Sequence, residues 1–107
     1  MSTAQFQHRN RLETIAVDGE LDIASVPGLD ARLRAAERDA PLVVLDLQSL
    51  EFVDSSGAAL ILSADRRIRQ AGGRLVLMRG TVEVQWLLAL LGVDRELEFV
   101  ERSFDGT

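Results

Sequence analysis

The side chains able to do chemistry are few in this chain, and they cluster at one place. Asp54-Ser55-Ser56-Gly57 follows the apolar stretch Leu50-Glu51-Phe52-Val53 and precedes a helical pattern. In α/β sheets, the edge where a strand hands over to a helix is where functional groups collect. The first turn of a helix also leaves N–H groups without intrahelical partners and carries a partial positive charge. A serine held there is exposed, beside donors suited to a phosphate. Three roles fit these residues. Asp and Ser are preferred N-cap residues, and a cap contributes about 1 kcal/mol. A doubled serine between Asp and Gly exceeds what one cap requires, which leaves a hydroxyl to receive a phosphate. A serine nucleophile is the third role, and it is poorly supplied. The Gly-x-Ser-x-Gly elbow lacks its first glycine, where Val53 stands. The only histidine, His8, lies in a polar stretch, so a general base would have to be that residue or a carboxylate. A P-loop is excluded, because no glycine-rich loop ends in Lys-Ser or Lys-Thr.

Composition narrows the classes further. The 107 residues are one domain's worth. At 47% hydrophobic and 27% charged, the balance is that of a globular chain able to bury a core, not of a disordered one. The absence of cysteine removes disulfide scaffolds, thiolate metal sites and cysteine catalysis. One histidine disfavours a His-based triad or a multi-histidine metal site, and no cofactor or metal is expected. The net charge of −5 disfavours nucleic acid, since an acidic domain repels phosphate backbones. All 12 cations are arginines, interleaved with acids as in Asp65-Arg66-Arg67 and Asp94-Arg95-Glu96, which reads as a solvated, salt-bridged surface rather than a basic patch. No apolar run approaches the roughly 18 residues of a membrane helix. The first residues show no basic stretch followed by an apolar one, so no signal peptide is expected. These features lead us to expect a cytoplasmic protein without membrane contact.

The elements that must position the serines follow from periodicity. Residues 4–9 alternate weakly and read as an edge strand, with a turn at Arg9-Asn10-Arg11. Residues 12–17 alternate with Ile15 and Val17 on one face, a second strand close enough to the first for a hairpin. Asp18-Gly19 is placed to bulge or turn it. Ser25 is a candidate N-cap with Pro27 in the first turn, opening a helix that buries Val26, Leu29, Leu33 and Ala36 and stops before Pro41. Leu42 to Leu47 is a continuous apolar run, as for a central strand covered on both faces. A second helix is expected over residues 57–70, ended by Gly72-Gly73, then a strand over 74–78. Thr81 caps a third helix over 82–91, closed by Gly92, and residues 97–100 form the last strand, with a frayed tail over 102–107. The order is β-β-α-β-α-β-α-β, a mixed α/β sheet with helices packed on it. On the third helix Val84, Leu87, Leu88 and Leu91 make a buried face, with Trp86 and Leu90 on its flank. That flank is either part of a wide stripe on the sheet or an exposed patch for a partner or a second copy.

Several stretches together resemble a STAS domain: Gly19-Glu20-Leu21-Asp22, Val43-Val44-Leu45-Asp46-Leu47, Leu50-Glu51-Phe52-Val53-Asp54-Ser55-Ser56-Gly57, Gly72-Gly73-Arg74-Leu75-Val76-Leu77, and Leu87 to Val93. The resemblance spans about residues 5–100 and makes residues 1–107 a single domain. It is greatest to bacterial anti-sigma factor antagonists of the sporulation and general-stress type. Where such proteins often carry Leu-Gly after Ser-Ser-Gly, this chain has Ala58-Ala59. The resemblance implies a STAS-like mixed sheet of four to five strands with helices on one side. It implies an antagonist that, unphosphorylated, binds an anti-sigma factor which is also a serine kinase of the histidine-kinase-like ATPase fold, and so frees a sigma factor. Phosphorylation of a serine in the Asp-Ser-Ser-Gly loop switches binding off, and a metal-dependent phosphatase restores it. Carried onto this chain, the acceptor is Ser56, with Ser55 as second choice. Asp22, Asp54, Ser55, Ser56 and Gly57 form the partner-binding set, and the protein is a monomer or a weak dimer. The same family also includes accessory subunits of lipid-transport ATPases and scaffold parts of stress-sensing assemblies, which dock a partner without a phosphorylation cycle.

Overall fold

The computed structural model describes residues 11–101. The expected strand at 4–9, the hairpin it would form, His8 and the tail at 102–107 lie outside the described residues. The elements are β1 (Leu12–Ala16), β2 (Gly19–Leu21), α1 (Val26–Asp39), β3 (Leu42–Asp46), β4 (Leu50–Val53), α2 (Ser55–Gln70), β5 (Arg74–Met78), α3 (Val82–Leu90), a 3-10 turn (Asp94–Glu96) and β6 (Phe99–Val100). Four strands form a sheet in the order β1-β3-β5-β6, and every pairing in it is parallel. Parallel neighbours require crossovers, and the helices supply them. β3 and β5 occupy the centre and bury Val43, Val44, Leu45, Leu75, Val76 and Leu77 almost completely, as the unbroken apolar run of β3 requires.

α1 and α2 pack on this sheet and on each other, through Leu29, Leu33, Ile61, Ala64 and Ile68. An ion pair reinforces their contact. Arg67 Nε donates to Glu37 Oε1 at 2.7 Å and a second guanidinium nitrogen donates to Oε2 at 3.0 Å. The hydrogen bond to Glu37 holds the Arg67 guanidinium above its ordinary pKa; burial opposes this, and the charges of Glu37 and Asp30 add to it. α3 packs mainly on β4 rather than over the four-stranded sheet.

Two elements were not expected from periodicity. β2 and β4 pair in parallel as a separate two-stranded ladder, with Leu21 opposite Val53. β2 has only three residues, and β4 is buried at its two ends and exposed between them, so neither shows clean alternation. The register shifts between Gly19 and Glu20, where Gly19 has φ +65°, so the expected bulge is present. Other differences are local. Ser25 occupies the cap position of α1, but its side chain makes no cap hydrogen bond. α2 begins at Ser55, two residues before the expected start. The last strand is confined to Phe99–Val100. Leu87 is only half-buried and Leu91 is exposed, so the buried face of α3 reduces to Val84 and Leu88.

Candidate functional site

The site is built where β2 and β4 end side by side. Because Leu21 and Val53 are in register, the next residues, Asp22 and Asp54, leave adjacent strands of one ladder, about 4.8 Å apart at the backbone. The ladder is extended by one bond, since Asp54 N–H donates to the Leu21 carbonyl at 3.1 Å. Asp54 then opens α2. Its backbone is extended, its Oδ1 accepts from Gly57 N–H at 3.0 Å, and its carbonyl accepts from Ala58 N–H at 3.0 Å. The capping duty therefore falls to the aspartate.

This division of labour leaves both serines free. Ser55 and Ser56 are the first two residues of the helix, Ser55 exposed and Ser56 half-buried. Among the described residues neither hydroxyl is tied up in a hydrogen bond. Their backbone N–H groups belong to the first turn, where no intrahelical acceptor exists. Gly57 explains how the helix start comes so close to β2. A Cβ at this position would stand 2.7 Å from both the carbonyl oxygen and Cγ of Leu21. Only a residue without a side chain lets α2 begin against that backbone.

Asp22 organises the opposite wall. Its Oδ1 accepts from Ala24 N–H at 3.0 Å and from Ser25 N–H at 3.2 Å. Ser25 Oγ donates to the Glu20 carbonyl at 2.8 Å and accepts from Asp22 N–H at 3.0 Å. These bonds knit residues 20–25 into a closed turn that fixes the Asp22 carboxylate, and among the described residues its second oxygen accepts no hydrogen bond. The sequence-derived set of Asp22, Asp54, Ser55, Ser56 and Gly57 thus comes together around two strand ends. Leu21 and Ser25 were missed. Leu21 is the seat of the helix start, and Ser25 ties the turn instead of capping α1. The glycine after Ser-Ser was the one sequence signal that something lay close by. Two apolar side chains, Ile23 and Phe52, are exposed on the flanking turn and strand.

Acids outnumber cations at the site. Asp18, Glu20, Asp22, Glu51 and Asp54 lie in or beside the two strands, and none is ion-paired among the described residues; Arg32 lines the same hollow as Asp18 and Glu20 and donates to the Ala16 carbonyl at 3.1 Å. No cluster of three or more metal-ligating side chains occurs among the described residues. None of the helices described is long and apolar enough to cross a membrane.

The family model for the STAS domain matches residues 3–105. The chain belongs to the STAS domain family. Among curated relatives, this STAS domain is 29% identical over 91 residues to an anti-sigma F factor antagonist of Paenibacillus polymyxa, covering 83% of this chain and 78% of the relative. It is 26% identical over 104 residues to the anti-sigma-F factor antagonist RsfB of Mycobacterium tuberculosis, covering 96% of this chain and 84% of the relative. Among solved structures, the anti-sigma factor antagonist SpoIIAA in its unphosphorylated form superposes with a TM-score of 0.70 at 23% identity, covering 86% of this chain and 82% of that one. That likeness is one of fold, and it agrees with the α/β architecture of the STAS domain described above.

Proposed function

We propose that this STAS domain is an anti-sigma factor antagonist controlled by phosphorylation at the start of α2. The unphosphorylated form binds, in the cytoplasm, an anti-sigma factor that is also a serine kinase of the histidine-kinase-like ATPase fold. Phosphorylation of Ser55 or Ser56 ends binding, and a metal-dependent serine phosphatase renews it. The observation that carries this reading is the pair of uncommitted hydroxyls on a helix start whose cap is supplied by Asp54. The names of the curated relatives support it. We place the acceptor at Ser56, the second residue of α2. Neither serine is buried, so both hydroxyls stand open to a kinase, with Ser55 kept as the second choice.

The magnitude suits a switch. A phosphate adds about −1.5 to −2 charges at pH 7. It would arrive beside Asp22 and Asp54, neither of which is ion-paired among the described residues. Like-charge contacts across an interface cost several kcal/mol, and a 10³-fold loss of affinity needs only about 4 kcal/mol. No refolding is required. The test is capture of the kinase on the immobilised chain, then phosphopeptide mapping after incubation with that kinase and ATP. Phosphate on one of the two serines is expected, with loss of capture by the phosphorylated chain. An active kinase partner that leaves both serines unmodified would overturn the switch and favour a docking subunit without a phosphorylation cycle.

A further inference from the structure

Among the described residues, the outer face of α3 takes no part in the site or the core. Its inner face is settled, with Val84 and Leu88 completely buried. On the other side Val82 is 86% exposed, Trp86 62% and Leu90 66%, at i, i+4 and i+8. Three large apolar side chains in line, all turned to solvent, are more than scattered surface hydrophobics. We propose that this stripe is a self-association surface, on which a second copy of the chain packs its own α3 antiparallel about a two-fold axis.

Charge identifies the occupant. Between Thr81 and Val93 only Glu83 is charged, so a partner read by charge would find almost nothing to recognise here. An identical neutral stripe is a good match. The spacing is also self-complementary, as an isologous contact requires. Trp86 lies midway between Val82 and Leu90, so a two-fold axis through Trp86 sets the two indoles together and Val82 against the partner's Leu90. It also carries Glu83 toward the C-terminal end of the partner's helix. There the partner's Arg95 supplies the opposite charge; Arg95 is exposed and has no carboxylate partner among the described residues. At these exposures the three side chains offer roughly 400 Å² per protomer, about half of the ~800 Å² each partner buries in a standard interface. The association is therefore weak and concentration-dependent. It uses none of the site residues Asp22, Asp54, Ser55, Ser56 and Gly57, and its test needs no phosphorylation.

Sedimentation equilibrium of the full chain, from low micromolar to near-millimolar concentration, tests it. A reversible monomer–dimer equilibrium is expected, accompanied by a blue shift of the emission of Trp86, the only tryptophan. Val82→Glu and Leu90→Arg should each weaken self-association roughly tenfold or more, as loss of a central apolar contact does. An equimolar mixture of the two variants should recover it, because the new carboxylate and guanidinium then face each other across the axis. Both sites are exposed, and circular dichroism verifies that each variant is folded. Trp86→Ala provides a second disruption without new charge. A chain that stays monomeric throughout, or variants that dimerise unchanged or fail to recover on mixing, would overturn the proposal.

Discussion

Asp22 shows how one side chain can carry a structural and a recognition role at once. One carboxylate oxygen accepts two backbone N–H groups and closes the turn that follows β2. The charge itself has no such duty. Asn keeps the acceptor oxygen and removes the charge, whereas Ala removes both. Asp22→Asn should therefore leave stability within about 0.5 kcal/mol of the parent, and Asp22→Ala should cost about 1 kcal/mol, the usual worth of a lost turn or cap bond. Urea unfolding measures both. If Asp22 also contacts the partner, both variants weaken partner capture, and Asp22→Asn does so without loss of fold. The serines call for a similar separation. Ser55→Asp or Ser56→Asp at the true acceptor should reduce capture only partially, since a carboxylate brings one charge where phosphate brings nearly two. Alanine at the same position should abolish phosphorylation while retaining capture.

At the scale of elements, the α2 start depends on a close approach that one methyl group would spoil. Gly57→Ala gains helix propensity worth about 1 kcal/mol, but the new Cβ meets the Leu21 carbonyl oxygen, a backbone atom that cannot rotate away. Overpacking of this kind costs about 1–3 kcal/mol, so a net destabilisation is expected, visible as a lower urea midpoint. Amide exchange should locate the loosening at Asp54, whose N–H donates to the Leu21 carbonyl, and at Ala58, whose N–H donates to the Asp54 carbonyl at the helix start. The same junction marks where sequence reading succeeds and where it stops. The buried strands β3 and β5 announce themselves by unbroken apolar runs, and α2 and α3 by spacing and caps, so the sheet core and the position of the serines were legible. The β2–β4 ladder was not. Its strands are too short to show a period, and their pairing is between segments about thirty residues apart. That ladder is what brings Asp22 beside Asp54, so the site's membership was readable only through resemblance, and its geometry only from the fold.

Across the whole molecule, charge is segregated. Among the described residues, seven arginines are matched with carboxylates: Arg11–Glu13, Arg34–Asp30, Arg66–Glu96, Arg67–Glu37, Arg69–Asp65, Arg74–Glu98 and Arg79–Glu101. Of the described acids left over, Asp18, Glu20, Asp22, Glu51 and Asp54 lie in or beside the two strands that lead to the serines, and Asp39, Asp46, Glu83 and Asp94 lie elsewhere. Five unpaired carboxylates thus stand where a partner would dock, and capture by a basic partner should slow as salt is added, through the association rate. The matched pairs give a different signature, in pH. The hydrogen bond from Arg74 holds the Glu98 carboxyl below the usual carboxylate range, against a smaller opposing effect of burial. A carboxyl lowered in the folded state stabilises the fold above its unfolded pKa, about 4.3, and that contribution is lost as pH falls through the lower folded value. Glu98 also anchors β6, because its carbonyl accepts from Leu77 N–H at 2.8 Å. Acidification below about pH 4 should thus release the sheet edge earlier than its centre. Amide exchange at Leu77 and Arg79, whose N–H groups bond to Glu98 and Val100, is the measurement. Their protection should hold from neutral pH to about 5 and fall below about 4, while Glu98→Gln should show weaker protection at neutral pH and a shallower acid loss. Protection in Glu98→Gln that falls with acid as steeply as in the parent would assign the edge's acid sensitivity to other carboxylates.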